Sequence, residues 1–322
     1  PATGDFWWDS SNEKLYRYIN DEFKELGLAG PSVPVWGGIR GLFVGGGTNA
    51  GRHNAIEYIT ITTPGNSTDF GDLTGVSESG ASASNQARVV HKKGIISGSG
   101  WPASYVNDID YFAPATTGNA SDFGNSTYYS GRLAAVGNGT RGIFGGGYGN
   151  SSTSGSWSQA GPNIVEYVTI ANTGNATDFG DLSAGGNGLG ATNDETRGVF
   201  AGGYTGSGLN RLDYITMASA SNSTDFGDVL GSMLYYTMVG NVSNNVIGCF
   251  SGGYADTTSY VKVNVIQKIT IQTAANATDF GDMTQAGITG SQCSDGTTGC
   301  ITTGEGASLD DRIDKITIGT PG

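Results

Sequence analysis

The segment Thr-Asp-Phe-Gly-Asp occurs at 68–72, 177–181, 224–228 and 278–282, with a Ser-Asp-Phe-Gly-Asn variant at 121–125. Its phenylalanines, Phe70, Phe123, Phe179, Phe226 and Phe280, lie 53, 56, 47 and 54 residues apart. A supersecondary unit repeated at that period cannot bury its apolar face alone and must pack on its neighbours, so the period governs the fold. Upstream of each copy lies an alternating strand: IEYITI at 56–61, IDYFAP at 109–114, VEYVTI at 165–170, LDYITM at 212–217, IQKITI at 266–271 and IDKITI at 313–318. Alternation of period two puts one face on a neighbouring sheet. Upstream again, an apolar strand runs into glycines, beginning at Arg40, Lys93, Arg141, Arg197, Ile247 and Gly299, and most copies are preceded by a small-residue strand such as 86–90 or 132–136. Four strands per unit and six units predict an all-β, six-bladed β-propeller with four-stranded blades. The double glycines would let the chain leave the inner strands at φ values other residues avoid, and each Asp-Phe-Gly phenylalanine would pack between blades.

The ends complete the circle. IDKITI is followed by GTPG at 319–322, where a sixth Asp-Phe-Gly segment is due, and Asp5 and Phe6 stand near the start of the chain. The sequence therefore predicts one propeller domain over 1–322, with blades over 30–322 and the last blade closed by residues 3–9 as its outer strand. A helical insertion is expected over 10–28. Leu15, Tyr18, Ile19, Phe23 and Leu26 form a helical stripe, with Ser10 and Glu13 as a capping box and Gly27 as a stop.

Composition narrows function. The net charge is −13 with no Lys/Arg cluster, which argues against a nucleic-acid partner. Cys249, Cys293 and Cys300 follow no zinc spacing; a Cys293–Cys300 bridge and idle buried thiols both remain open. No apolar run approaches the roughly 18 residues of a membrane span, so a soluble chain without membrane insertion is expected.

The five Asp-Phe-Gly copies lack the HRD loop and strand lysine of a kinase, and the glycine strings lack a GxxxxGK[ST] phosphate loop. His53 and His91 are the two histidines; with no GxSxG elbow they support neither a Ser-His-Asp site nor a copper-radical centre. The recurring Asp pairs (Asp69/Asp72, Asp178/Asp181, Asp225/Asp228, Asp279/Asp282) invite calcium, but turn chemistry explains them more simply. The same holds for the N-x-[ST] sequons at Asn66, Asn119, Asn175, Asn222 and Asn276. No catalytic residue, metal or cofactor is expected.

The glycines at Gly145 to Gly147 and the central Tyr167 match landmarks of kelch repeats, which this unit resembles, with Phe179 where the kelch tryptophan would be. The longer string RGxFGGGY…IxYITIxTTGNATDFGDL is similar to the glycine-rich repeats of virion structural and tail-fibre-like proteins of marine tailed phages. That resemblance implies a non-enzymatic virion component on the particle surface or tail, or otherwise extracellular. Its expected partners are other virion proteins, a host-surface glycan or receptor, and further copies in a homo- or hetero-oligomeric assembly. Trp7, Trp8, Tyr16, Phe23, Trp101 and Trp157 are the candidate interaction residues. A glycan-binding propeller, with Trp101, Trp157, Tyr148 and Tyr204 lining one face, is an alternative. So is a filament subunit joined through Trp7, Trp8 and the helix; a secreted hydrolase comes last.

Overall fold

A computed structural model describes residues 6–9, 14–19, 22–26, 38–48, 51–63, 65–97, 104–150, 162–230, 239–255, 260–288, 290–304 and 311–320. These are strands and connections with no helix, hence none long and apolar enough to cross a membrane. The chain divides into two compact units, Pro1–Val35 and Trp36–Gly322.

The first unit corrects one expectation. Strands β1 (Phe6–Asp9), β2 (Lys14–Ile19) and β3 (Glu22–Leu26) form an antiparallel sheet in the order β1-β2-β3, so the stretch read as the helical insertion 10–28 carries two strands. Tyr16, Tyr18, Ile19 and Phe23 are strand-favouring residues, and pairing of Ile19 with Glu22 leaves an Asn-Asp dipeptide for the connection, a turn-favouring pair. Strand β1, from the segment 3–9 expected as the outer strand of the last blade, is hydrogen bonded along one edge to β2.

The second unit is a ring of six blades. Blade 1 comprises β4 (Arg40–Thr48), β5 (Gly51–Thr60) and β6 (Thr68–Asp72). Blade 2 has β7 (Ala81–Ser84) and β8 (Val89–Lys92), then a two-stranded ribbon of β9 (Ile95–Ser97) and β10 (Ser104–Tyr105), then β11 (Asp108–Phe112) and β12 (Ser121–Asn125). In blade 3, β13 (Tyr129–Gly131) pairs with β16 (Tyr148–Asn150) in a ribbon. The blade itself is β14 (Ala134–Gly137), β15 (Arg141–Gly145), β17 (Ile164–Thr169) and β18 (Thr177–Asp181). Blade 4 is β19 (Gly190–Asn193), β20 (Arg197–Ala201), β21 (Arg211–Thr216) and β22 (Thr224–Asp228). Blade 5 is β23 (Val239–Ser243), β24 (Ile247–Ser251), β25 (Val265–Thr270) and β26 (Thr278–Asp282). Blade 6 is β27 (Gln292–Ser294), β28 (Thr298–Thr302) and β29 (Ile313–Thr317). Blades 2 to 5 have four strands, and blades 1 and 6 have three among the described residues. The segment from Lys93, read as the second strand of blade 2, is instead its ribbon; Val89–Lys92 holds the blade position because the Asn85 side chain caps the preceding turn.

The Asp-Phe-Gly motif is a β-bulge. Ile56 pairs with Gly71 and Glu57 with Asp69, which leaves Phe70 as the extra residue, and the same shift recurs in blades 2 to 5. A bulge re-aims a side chain. Here Phe70 turns onto Val89 and Phe112 of blade 2, Phe123 onto Phe144 and Val168 of blade 3, and Phe179 onto Phe200 and Met217 of blade 4. Phe226 packs on Phe250 and Ile269 of blade 5, and Phe280 on Ile301 and Ile318 of blade 6. The following glycine adopts φ near +145° and abuts the next blade: a Cβ on Gly180 would overlap the Ser221 carbonyl oxygen. No L-residue fits there.

The ring closes through side chains. Strand β27 packs against β4, and the Cys293 sulfur fills the space that a Cβ on Gly41 would need. Around it, Ile59 and Ile61 of blade 1 pack with Cys300 and Ile313 of blade 6. The same knob-on-glycine contact joins Val136 to Gly198, Thr192 to Gly248 and Val242 to Gly299 at successive seams.

Candidate functional site

The repeated chemistry of this chain lies in its blade seams. In blades 1 to 4 an arginine lies over the blade's tyrosine, at 4.8 Å for Arg40–Tyr58, 4.3 Å for Arg88–Tyr111, 4.4 Å for Arg141–Tyr167 and 4.2 Å for Arg197–Tyr214. Each tyrosine meets its blade's Asp-Phe-Gly phenylalanine edge-on at 5.9–6.1 Å. The same guanidinium donates to a backbone carbonyl of the next blade: Arg40 to Pro114, Arg88 to Ile170, Arg141 to Met217 and Arg197 to Ile271. Stacking and a charge-assisted hydrogen bond thus act through one side chain.

Two further contacts cross the seams. The sequon asparagines Asn119, Asn175, Asn222 and Asn276 each accept, through Oδ1, the backbone N–H of the last Asp-Phe-Gly-Asp/Asn residue of the preceding blade at 3.0 Å. An acid in the third strand then accepts a backbone N–H and a hydroxyl two residues past that motif. Asp110 takes both from Thr74, Glu166 from Thr127, Asp213 from Ser183 and Asp314 from Thr284, while Gln267 takes the N–H of Leu230. The turn position of these asparagines was legible in sequence; that they tie blades together was not. Their constant offset before Asp-Phe-Gly was the available signal.

The densest group of titratable side chains lies at blades 2 and 3. His91 is buried between Ser77 Oγ, 3.0 Å from Nε2, and Ser82 Oγ, 2.9 Å from Nδ1. Burial, with Lys93 and Lys92 nearby, lowers its pKa to about 3. An imidazole that weak accepts no proton near neutrality, and both its ring nitrogens face serine hydroxyls, so it is unsuited to general-base work. Lys92 is fully buried, donates from Nζ to the Ser130 carbonyl at 2.9 Å, and is lowered by burial to about 8 despite the opposing pull of Glu166 and Asp108. Lys93 bridges Asp108 at 3.2 Å, Asp110 at 3.5 Å and the Thr74 hydroxyl at 2.8 Å. Sequence reasoning missed this cluster, because a lysine in a short apolar strand carries no periodic mark. His53 is exposed, one blade away.

Among the described residues no group of three or more His, Cys, Asp or Glu side chains is placed to hold a metal. The three cysteines are free thiols; Cys293 and Cys300 are cross-strand partners whose thiols hydrogen bond, which raises the Cys293 pKa and lowers that of Cys300. The depression lined by Ser251, Gly252, Met283 and Ile288 has no interior room for even a water molecule.

Of the candidate interaction residues, the structure gathers four on one small sheet. Trp7 and Trp8 lie on β1, Tyr16 on β2 and Phe23 on β3, with Trp7 aligned to Tyr16 and Tyr18 to Phe23. Trp101 and Trp157 lie outside the described residues. Of the tyrosines expected on a glycan-binding face, Tyr148 is buried, its ring 5.9 Å from that of Tyr105, and Tyr204 is half-buried. A buried ring offers no platform to a sugar.

No family model matches the chain, and no curated protein matches it. Among solved structures, one titled "Structure of YjhT" is similar with a TM-score of 0.62 at 12% identity, over 81% of this chain and 87% of that one. At that identity the likeness shows the fold alone, a six-bladed β-propeller.

Proposed function

We propose that this chain is a non-enzymatic structural or attachment protein of a phage particle, a rigid scaffold whose N-terminal sheet contacts other virion proteins or a host surface. The observation that carries the reading is the repetition of one set of cross-seam contacts around the ring: the Arg-Tyr-Phe stack, the asparagine acceptor and the acid-hydroxyl pair. Polar side chains in this chain are used to hold blades to one another, as a load-transmitting body requires. The resemblance of the repeat to virion glycine-rich repeats supports the same reading, as does a histidine locked neutral between two hydroxyls. The concentration of Trp7, Trp8, Tyr16 and Phe23 in a separate compact unit supplies aromatic anchors of the type enriched at protein interfaces. Mass spectrometry of purified particles from the source community, with immunogold labelling of the same particles, tests it. Stoichiometric presence on the particle surface or tail is expected; recovery only from the host cell and never from particles would overturn it.

A further inference from the structure

Blade 6 carries a pair of side chains that blades 2 to 5 do not. The first and second strands of a blade set two residues directly opposite each other at one recurring place: Ala83 and Val90 in blade 2, Val136 and Ile143 in blade 3, Thr192 and Val199 in blade 4, Val242 and Cys249 in blade 5. In blade 6 that place is filled by Cys293 and Cys300. The first member of each pair is the knob that packs on a glycine of the neighbouring blade, Cys293 on Gly41 as Val242 on Gly299. Packing asks only for volume there, which alanine, valine and threonine supply at the other seams. Two thiols in contact add a chemistry that volume does not require.

The two cysteines are placed to react with each other. Asp295 donates its N–H to the Thr298 carbonyl and Thr302 to the Ser291 carbonyl, and hydrogen-bonded pairs alternate along an antiparallel ladder, so Cys293 and Cys300 form one of them. Cα atoms of such a pair lie about 5.5 Å apart, inside the roughly 4.4–6.8 Å that a disulfide spans. Both side chains leave the same face of the sheet, and the thiols hydrogen bond. The hydrogen bond from Cys293 and the ammonium of Lys315, opposite Cys300 on β29, favour the Cys300 thiolate. Cys293 is half-buried, which gives a small oxidant a way in. Cys249 is the internal contrast: it faces Val242, and burial pushes its thiol up to about 12, which makes it a poor nucleophile.

We propose that Cys293 and Cys300 are a redox-active dithiol, a modification site that a hydroperoxide converts to a disulfide and that small thiols reopen. With hydrogen peroxide, the Cys300 thiolate attacks one oxygen, the O–O bond breaks, hydroxide leaves, and Cys300 becomes a sulfenic acid. The Cys293 sulfur then attacks that sulfur, the S–S bond forms, the S–O bond breaks, and the oxygen leaves as water with the Cys293 proton. Over both steps the two thiols give up two protons and two electrons, and the peroxide becomes two molecules of water. Two molecules of a small thiol reverse the bridge and leave as their own disulfide. The bridge ties β27 to β28 within the apolar cluster that blades 6 and 1 share, and it forms when the chain passes from a reducing to an oxidising medium. This goes beyond the scaffold reading and stands or falls independently of it, since it is measured on the isolated chain.

The test treats the reduced full chain with hydrogen peroxide, removes the excess with catalase, unfolds and alkylates the chain with iodoacetamide, and reads its tryptic peptides by mass. Residues 269–312 form one peptide that holds both cysteines of the pair, and 212–262 holds Cys249. The first peptide is expected to lose both alkylation sites and about 2 Da, the two hydrogens of the bridge, while Cys249 stays alkylated and dithiothreitol restores the pair. Cys249→Ala should behave as the wild type. Cys293→Ala should stop at a Cys300 sulfenic acid that dimedone captures. Retention of both alkylation sites in 269–312 overturns the proposal, as does equal oxidation of Cys249 or a bridge that joins two chains instead of forming within one.

Discussion

Lys92 holds a full ammonium out of water against the Ser130 carbonyl, and the cost of that burial sets a pH signature. Its pKa is about 8 in the fold and 10.5 when unfolded, so between those values the unfolded chain carries the extra proton and stability rises with pH. His91 acts on the acid side. Its imidazole is held near 3 against 6.5 unfolded, so the stability it contributes is complete above 6.5 and is lost as pH falls toward 3. Lys92→Met keeps most of the packing volume and removes the charge. It is expected to stabilise the chain by roughly 1–3 kcal/mol at pH 7. Urea midpoints at pH 7, 9 and 10.5 should show the wild type gaining on the variant as pH rises; parallel curves would contradict a buried, strained ammonium. None of this was legible from sequence, where Lys92 falls between the strand 86–90 and the segment from Lys93, and His91 is one of two histidines without a catalytic context.

At the scale of the element, the bulged strand carries the design. Gly180→Val places a β-branched residue at φ +143° and against the Ser221 carbonyl, and is expected to cost about 2–4 kcal/mol. Asn222→Ala removes the acceptor for the Asp181 N–H across the same seam and should cost about 1 kcal/mol. Calorimetric Tm values that rank the asparagine variant below the glycine variant would contradict the account of the motif. The outer strands were legible because Phe, Gly and Asp recur in a fixed order that one bulge explains. The N-terminal strands were not: Leu15, Tyr18, Ile19, Phe23 and Leu26 satisfy helical spacing, while the same stretch satisfies a hairpin through its aromatic and β-branched residues. Local pairing decided between them, a choice that periodicity alone leaves open. The blade 2 offset has a similar source, since Lys93-Gly-Ile-Ile imitates the Arg-Gly-apolar-Phe strand of its sisters.

For the whole molecule, the count of six blades followed from sequence, whereas the side-chain contacts at the last seam did not. Blades 6 and 1 meet through Cys293 seated on Gly41 and through Ile59, Ile61, Cys300 and Ile313. Such knob-on-glycine packing is invisible in sequence because its two halves lie at opposite ends of the chain. The equivalent exposed positions Thr62, Ala115, Ala218 and Gly319, one residue past the third-strand apolar run of blades 1, 2, 4 and 6, allow a direct measurement. Spin labels at 62 paired in turn with 115, 218 and 319, in a background with the three cysteines replaced by alanine, report the distances by double electron–electron resonance. A closed ring predicts that 62–319 matches 62–115 and that both are shorter than 62–218. Separations that lengthen steadily along the chain, with 62–319 the longest, would contradict it.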